Sequence, residues 1–488
     1  MRDRLETHLV RPSDGRFSAS RAHGPTSTTR QFSKRPPAPS RRFRRAGERR
    51  CFHAAPPPAR LDPSLGRDRR LYAKSLHIRD FKCFGKTELE LQYPGRTGDG
   101  VSETPNVNLI LGDNGGGKSS VLRALGIAVL APVLHESGFV PYRLVRRPRP
   151  GQEPVGHALL KIEAIPERSE RLPKAPSSRN PELQARIERR SQGSLDRLNS
   201  KWSSGSSIRR LFEDDRSPAF FIVGYGATRR VETSEYSESS ARKLRGLRYQ
   251  RIAGLFEDHV ALRPLQAWLP RLQGADRRRA VAQINRVLPR NVRFSGRLDK
   301  VEDQYLFKFE GVPTPFSALS DGYKAFIGWV GDLVGHLCDV ASPGTALADV
   351  PGIVLLDEVD LHLHPEWQRN VVPALASGFP KLQFVFTSHS PLVASTVRRE
   401  NVFVTDVAED GTATLKQLEE RVYGRSAEQL LLSSYFGLQT TRPESFQDKA
   451  QELFEKAAEG DSNAALRYLE RLTDPTMPPK AATGQRRR

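Results

Sequence analysis

Residues 112–119 read GDNGGGKS, the full spacing G-x-x-x-x-G-K-[ST], and they follow Asn108-Leu109-Ile110-Leu111, an apolar run of strand length. Behind the motif, Val121, Leu122, Leu125, Val129 and Leu130 recur at helical spacing. A strand, a glycine-rich turn and a helix in that order call for an α/β chain with a parallel sheet at its centre. The residue types have a physical reason. Gly115, Gly116 and Gly117 let main-chain N–H groups turn inward around an anion with no Cβ in the way, and the helix N-terminus adds a field that favours negative charge. Lys118 is placed to reach the β- and γ-phosphates of a nucleotide. The Ser119 hydroxyl is the hard oxygen that Mg²⁺ prefers. Gly112, Asn114 and Ser120 complete the expected contacts, and the expected ligands are ATP or GTP with Mg²⁺.

Three further elements follow in order. Residues 352–358, GIVLLDE, form an apolar run ending in two carboxylates, as a central parallel strand delivers acids to its C-terminal edge. Asp357 is the expected metal ligand, and Glu358 the expected base for the attacking water. Alone, such a run is as often a plain strand-to-turn boundary; its place after the glycine loop raises its weight. Residues 383–388, QFVFTS, read as another buried strand, and His389 follows at once, where an imidazole could donate to the γ-phosphate. A loop histidine satisfied by its neighbours is the plainer alternative. Between these lies Leu319-Ser320-Asp321-Gly322-Tyr323, leading into Phe326, Ile327, Val330, Leu333, Val334 and Leu337 at helix spacing.

That last segment resembles the LSGGQ-type signature of ABC ATPases. The ordered set GDNGGGKSS, LSDGYKAF, IVLLDEVDLHLHPEWQ and FVFTSHSPLV, opened by LYAKSLHIRDFKCF at residues 71–84, is similar to the ABC-type ATPases related to SMC, RecF and OLD proteins. The likeness extends to compact bacterial "AAA family ATPase" proteins, several of which serve in anti-phage defence. It implies a P-loop fold with a mixed central sheet, an antiparallel edge sheet and a helical insertion at about 165–340. It also implies an ATP-dependent homodimer in which Ser320 and Gly322 of one copy cap the nucleotide held by the other. The process it points to is DNA-related, with DNA and a separate nuclease or effector protein as partners. The alternative is the ATP-binding subunit of an ABC transporter. Asp321 and Tyr323 stand where transporters carry Gly and Gln, and His364 stands where many relatives place a D-loop aspartate. No glutamine lid is evident, since Gln152 falls in a Pro/Gly-rich turn and Gln192 in a polar stretch.

The remainder sets bounds. Of the formal net charge of +21, residues 1–70 contribute +12, from 18 Lys and Arg against 6 Asp and Glu. With Arg41-Arg42-Phe43-Arg44-Arg45 and Pro56-Pro57-Pro58 but no apolar periodicity, this stretch reads as disordered. A solvated tail, or a start assigned too far upstream, ranks ahead of a dedicated nucleic-acid arm. Residues 71–415 are then the ATPase domain, and 416–488 a helical lobe with a basic tail. Lys82 and Arg79 lie near the expected nucleotide, and Phe220 to Val223 reads as one more buried strand, running into Gly224–Arg230. Polar residues 173–207 lack sustained heptads, which excludes long coiled-coil arms. Cys51, Cys83 and Cys338 are too scattered for a zinc site, and no apolar run reaches bilayer length, so a cytoplasmic protein is expected.

Overall fold

Strands buried on both faces carry unbroken apolar sequence, whereas strands with one wet face alternate. Both kinds meet here in one sheet. The computed structural model describes residues 71–134, 137–166, 182–190, 193–202, 220–231, 246–301 and 303–473, all within the unit Asp62–Arg488. The basic stretch 1–70, Gln192, Cys51 and much of 173–207 lie outside the described residues.

Sixteen strands are described. They are β1 (Leu71–Phe81), β2 (Phe84–Glu90), β3 (Val107–Leu111), β4 (His157–Pro166), β5 (Glu182–Arg189), β6 (Asp196–Trp202), β7 (Ile222–Tyr225), β8 (Arg230–Val231), β9 (Ala261–Leu262), β10 (Val292–Asp299), β11 (Gln304–Phe309), β12 (Val312–Pro315), β13 (Gly352–Leu356), β14 (Leu382–Thr387), β15 (Val402–Val407) and β16 (Ala413–Lys416). Eleven form one sheet in the order β6-β5-β4-β1-β2-β16-β15-β3-β14-β13-β7. From β15 to β7 the neighbours run parallel, and from β6 to β2 they run antiparallel. Strands β10, β11 and β12 make a separate antiparallel sheet, and β8 pairs with β9.

The helices of two turns or more are α1 (Lys118–Leu134), α2 (Gly274–Val287), α3 (Asp321–Val340), α4 (Val371–Gly378), α5 (Glu444–Ala458) and α6 (Ser462–Thr473). One core layer gathers α1, the antiparallel strands and the side chains of Ile110, Ile353, Leu355 and Val385. The other gathers α2, α3, α4 and β10–β11 around Leu109, Leu111, Val354, Leu356, Phe384 and Phe386. Among the described residues no helix is long and apolar enough to cross a membrane.

Strands β15 and β16 form a closing antiparallel hairpin. After it a short helix, Ala427–Leu431, stops where Ser433 bonds back to the Leu430 carbonyl and Gly437, at φ 68°, closes the turn. Helices α5 and α6 part at Gly460, whose φ of 101° a side chain resists. The 165–340 span holds helices α2 and α3 as expected, and also strands β5, β6, β7 and the β10–β12 sheet.

Candidate functional site

The glycine loop leaves β3 at Gly112 and enters α1 at Lys118, so it lies over the C-terminal edge of the parallel strands. Gly112, Gly115 and Gly117 have φ of 136°, 80° and 94°, a region other residues avoid. Space demands glycine as well. A Cβ on Gly112 would stand 1.9 Å from Thr405 Oγ1, and one on Gly117 would stand 2.6 Å from Cys83 Sγ and 2.8 Å from the Phe84 ring. The loop is thus walled by β2 on one side and β15 on the other. Lys118 is buried, and its ammonium donates to the Gly112 and Asp113 carbonyls at 2.8 Å each. Burial lowers its pKa, partly offset by the carboxylates of Asp357, Glu358, Asp113 and Asp360.

Asp357 and Glu358 follow β13 directly. The buried Asp357 accepts a 2.5 Å bond from Thr387 Oγ1 at the end of β14, and the same oxygen accepts the Glu358 N–H at 2.7 Å. From the other side the Asp357 N–H donates to the Tyr225 carbonyl at 2.9 Å. Glu358 has φ 48°, a left-handed turn that aims its side chain away from the strand's ordinary alternation. Three parallel strand ends therefore converge on these acids.

A cleft of about 530 Å³ is lined by Asn114, Gly115, Gly117, Lys118, Ser119, Ser120, Asp357, Glu358 and His389. The structure brings nearly all the expected nucleotide-site residues together; Gly112 and Gly116 lie in the loop behind them. Lys82 lines the cleft as expected, and Arg79 does not. Sequence reasoning passed over Arg123, Arg143 and Arg147, which also line it. Arg143 and Arg147 come from a stretch tied down by buried Asp196, which accepts the Leu144 and Val145 N–H groups. Their only signal was a dense basic run, YRLVRRPR, and a basic run is ordinarily a solvated face. Thr387 was equally silent, being one hydroxyl at the end of an apolar strand.

Ser320 and Gly322 are not among the residues lining this cleft. Ser320 is exposed at the N-cap of α3 and its side chain makes no cap bond. Gly322 packs so closely that a Cβ would stand 2.3 Å from the His362 carbonyl, which joins the start of α3 to the segment following the acids. Tyr323 extends that contact, its ring meeting Trp367 edge-on at 4.4 Å. His364 caps a short helix, its Nδ1 accepting the Glu366 N–H at 3.4 Å. Gln152 is exposed and donates to the Asp410 carbonyl, away from the acids.

The donor set fits a nucleotide with Mg²⁺. Among the described residues no three His, Cys, Asp or Glu gather as a metal cage. A metal held by Ser119 and Asp357 would take its other oxygens from phosphate and water, the way Mg²⁺ is generally bound beside nucleotides.

Two family models match this chain. The family described as "AAA domain, putative AbiEii toxin, Type IV TA system" matches residues 107–395, and one described as "AAA domain" matches residues 75–132. The "Septu protein PtuA" of Bacillus mycoides (strain KBAB4) is 29% identical over 241 residues, covering 49% of this chain and 32% of the relative. The "Retron Ec83 probable ATPase" of Escherichia coli is 40% identical over 86 residues, covering 18% of this chain and 16% of the relative. The chain thus matches well under two thirds of the length of these relatives. Among solved structures, the SMC head domain from Thermotoga maritima superposes with a TM-score of 0.40 at 14% identity, covering 72% of this chain and 100% of that one. Residues 107–395 make up more than half of the 488 and contain the glycine loop, the paired acids and the histidine, and the chain belongs to this AAA-domain family.

Proposed function

We propose that this chain binds ATP with Mg²⁺ in the cleft and hydrolyses it, and that the bound nucleotide joins two copies into a switch used in anti-phage defence or DNA repair. One observation carries the reading: the ends of β3, β13 and β14 bring Lys118, Asp357, Glu358 and His389 into one cleft. Glu358 accepts the proton of the attacking water, and His389 donates to the γ-phosphate. Lys118 neutralises the phosphates and the glycine N–H groups hold them in register. Ser119 and Asp357 would hold Mg²⁺, which would supply further charge neutralisation at the phosphates.

The dimer is what the resemblance to ABC ATPases implies, and the place of Ser320 supports it. Ser320 is exposed at the start of a 20-residue helix and lies off its own cleft, where a second copy's nucleotide can meet it. Residues 71–415 serve as the ATPase domain, 416–488 as a helical lobe, and 1–70 as a basic tail. Septu and retron proteins among the relatives favour a role in defence. DNA and a separate nuclease or effector are the partners proposed for it, and the cytoplasm its proposed compartment. The transporter alternative gains no support from these relatives.

Glu358→Gln tests the reading. It should bind Mg-ATP, lose roughly 10²- to 10⁴-fold in turnover and accumulate as a dimer in sedimentation, whereas Lys118→Ala should lose nucleotide binding. Ser320→Arg should bind ATP yet stay monomeric. Normal hydrolysis by Glu358→Gln removes this residue from the mechanism. DNA affinity that does not respond to salt, with or without residues 1–70, removes phosphate contacts from the proposal.

A further inference from the structure

Arg229 approaches the acids from behind. It does not line the nucleotide cleft; it reaches β13 from the turn after β7. Its guanidinium donates Nη1 to the Asp357 carbonyl and Nη2 to the Glu358 carbonyl at 2.8 Å, and Nη1 also meets the Gly226 carbonyl at 3.3 Å. Two successive main-chain carbonyls are therefore held by one planar fork, a match that a lysine's single ammonium does not reproduce. These carbonyls flank the Cα of Glu358, whose backbone is bent into the left-handed region at φ 48°. That conformation is costly for a non-glycine residue and persists only where surrounding bonds fix it.

The opposite side of the same turn is held by Thr387, whose hydroxyl takes the Glu358 N–H and donates to the Asp357 carboxylate. Val359 N–H adds a bond to the Thr387 carbonyl at 2.9 Å, and Leu361 N–H one to the Glu358 carbonyl at 3.0 Å. Thr387 thus fixes the N–H side and Arg229 the carbonyl side. The two Nη atoms thus make three hydrogen bonds, all to protein carbonyls, and Nε is buried with no hydrogen-bond partner among the described residues.

We infer that Arg229 is a positioning residue that holds Glu358 in its left-handed turn and so sets the direction of the carboxylate toward the attacking water. The inference rests on the reading of Glu358 as the base. It differs from a phosphate-binding role in what it predicts: loss of Arg229 leaves nucleotide affinity nearly intact and lowers turnover.

The experiment is steady-state ATP hydrolysis by the full-length chain, with nucleotide affinity measured separately using a fluorescent ATP analogue. Arg229→Ala should lose roughly 10- to 100-fold in kcat, the scale of a small misplacement of a reacting group, with affinity changed less than about threefold. Arg229→Lys should fall between wild type and Arg229→Ala. Free guanidinium at low, non-denaturing concentration should restore part of the Arg229→Ala rate, while methylammonium should not, and neither should help Glu358→Gln. Rescue by an ion of the missing shape separates positioning from a general loss of fold. If Glu358→Gln is inactive while Arg229→Ala turns over normally, the positioning inference alone falls. It falls equally if affinity drops in step with kcat or if guanidinium has no effect. If Glu358→Gln itself turns over normally, the assignment of the base falls and takes this inference with it.

Discussion

Strands β13 and β5 belong to one sheet and bury themselves differently. Every residue of β13 is buried, with Ile353 and Leu355 facing one core layer and Val354 and Leu356 the other. In β5 only Leu183, Ala185 and Ile187 are fully buried; Arg186 is exposed and Gln184 and Glu188 half-buried. The contrast explains where chemistry sits. Strand β13 is apolar throughout and buried on both faces, so its polar chemistry comes just beyond its end, where it delivers Asp357 and Glu358. A strand with one wet face can carry charge along its whole length, and β5 holds ion pairs such as Arg186 with Glu188 at 3.4 Å.

The sharpest way to break this contrast is to remove bulk from the two-faced strand. Leu355→Ala should destabilise by about 2–5 kcal/mol, seen as a lower midpoint in urea, because the site is fully enclosed and little can collapse into it. A loss under about 1 kcal/mol would mean that β13 is less central than its burial states. Next comes the junction of the two halves, where Cys83 and Phe84 of the antiparallel part press on Gly117. Gly117→Ala should weaken ATP binding on the order of 100-fold, about 3 kcal/mol, with circular dichroism unchanged. Unaltered affinity would show that this wall yields.

A smaller effect is expected from acid. On α3, burial and the nearby Arg263 push the His336 imidazole down to about 4, against an ordinary 6.5, although Asp332 at 3.4 Å opposes this. Burial works against the charge of Asp332, but His336, Arg263 and the Tyr225 hydroxyl hold it below the usual carboxylate range. Asp339, on the same guanidinium, and Arg251 complete the surroundings. The unfolded chain then takes up a proton before the folded one does. Stability should fall as pH drops from about 6.5 to about 4, by an amount on the order of 2 kcal/mol, with a further loss below that from Asp332. His336→Gln should flatten the upper part of that slope in denaturation midpoints. The smallest change belongs to the outer face of β5, where Arg186→Ala should stay within about 0.5 kcal/mol of wild type.

The same contrast governs what could be read from the residues alone. Asn108–Leu111, Gly352–Leu356 and Gln383–Thr387 are legible because burial on two sides demands unbroken apolar runs, and because fixed spacings tie each run to its motif. Strand β5, ELQARIER, is nearly all polar on its outer side, so its alternation hides among charges; in β6, DRLNSKW, the signal is weaker still. Arg229 and Thr387 illustrate a different barrier. Each acts through main-chain atoms of residues far away in sequence, 129 positions for Arg229 to Glu358 and 29 for Thr387, and no local pattern encodes such a meeting. Ser320 was legible as a helix cap, while its exposure away from its own cleft became visible only once the chain was folded.

Gln383 lies wholly inside the protein, its amide exchanging two bonds with Ala73, 2.8 Å to the carboxamide oxygen and 2.7 Å from its nitrogen, while that nitrogen also reaches the Gln92 carbonyl at 2.8 Å. A side chain here imitates a peptide unit and zips β14 to a strand that is not its neighbour. Leucine would match its bulk but speak none of its grammar, taking the carboxamide from the Ala73 N–H and carbonyl in a dry interior, while the Gln92 carbonyl keeps its bond from Asn108 Nδ2 at 2.9 Å. Beside the main-chain pairing of β2, β16 and β15, this carboxamide ties the two halves of the sheet together, and oily look-alikes cannot be traded into it.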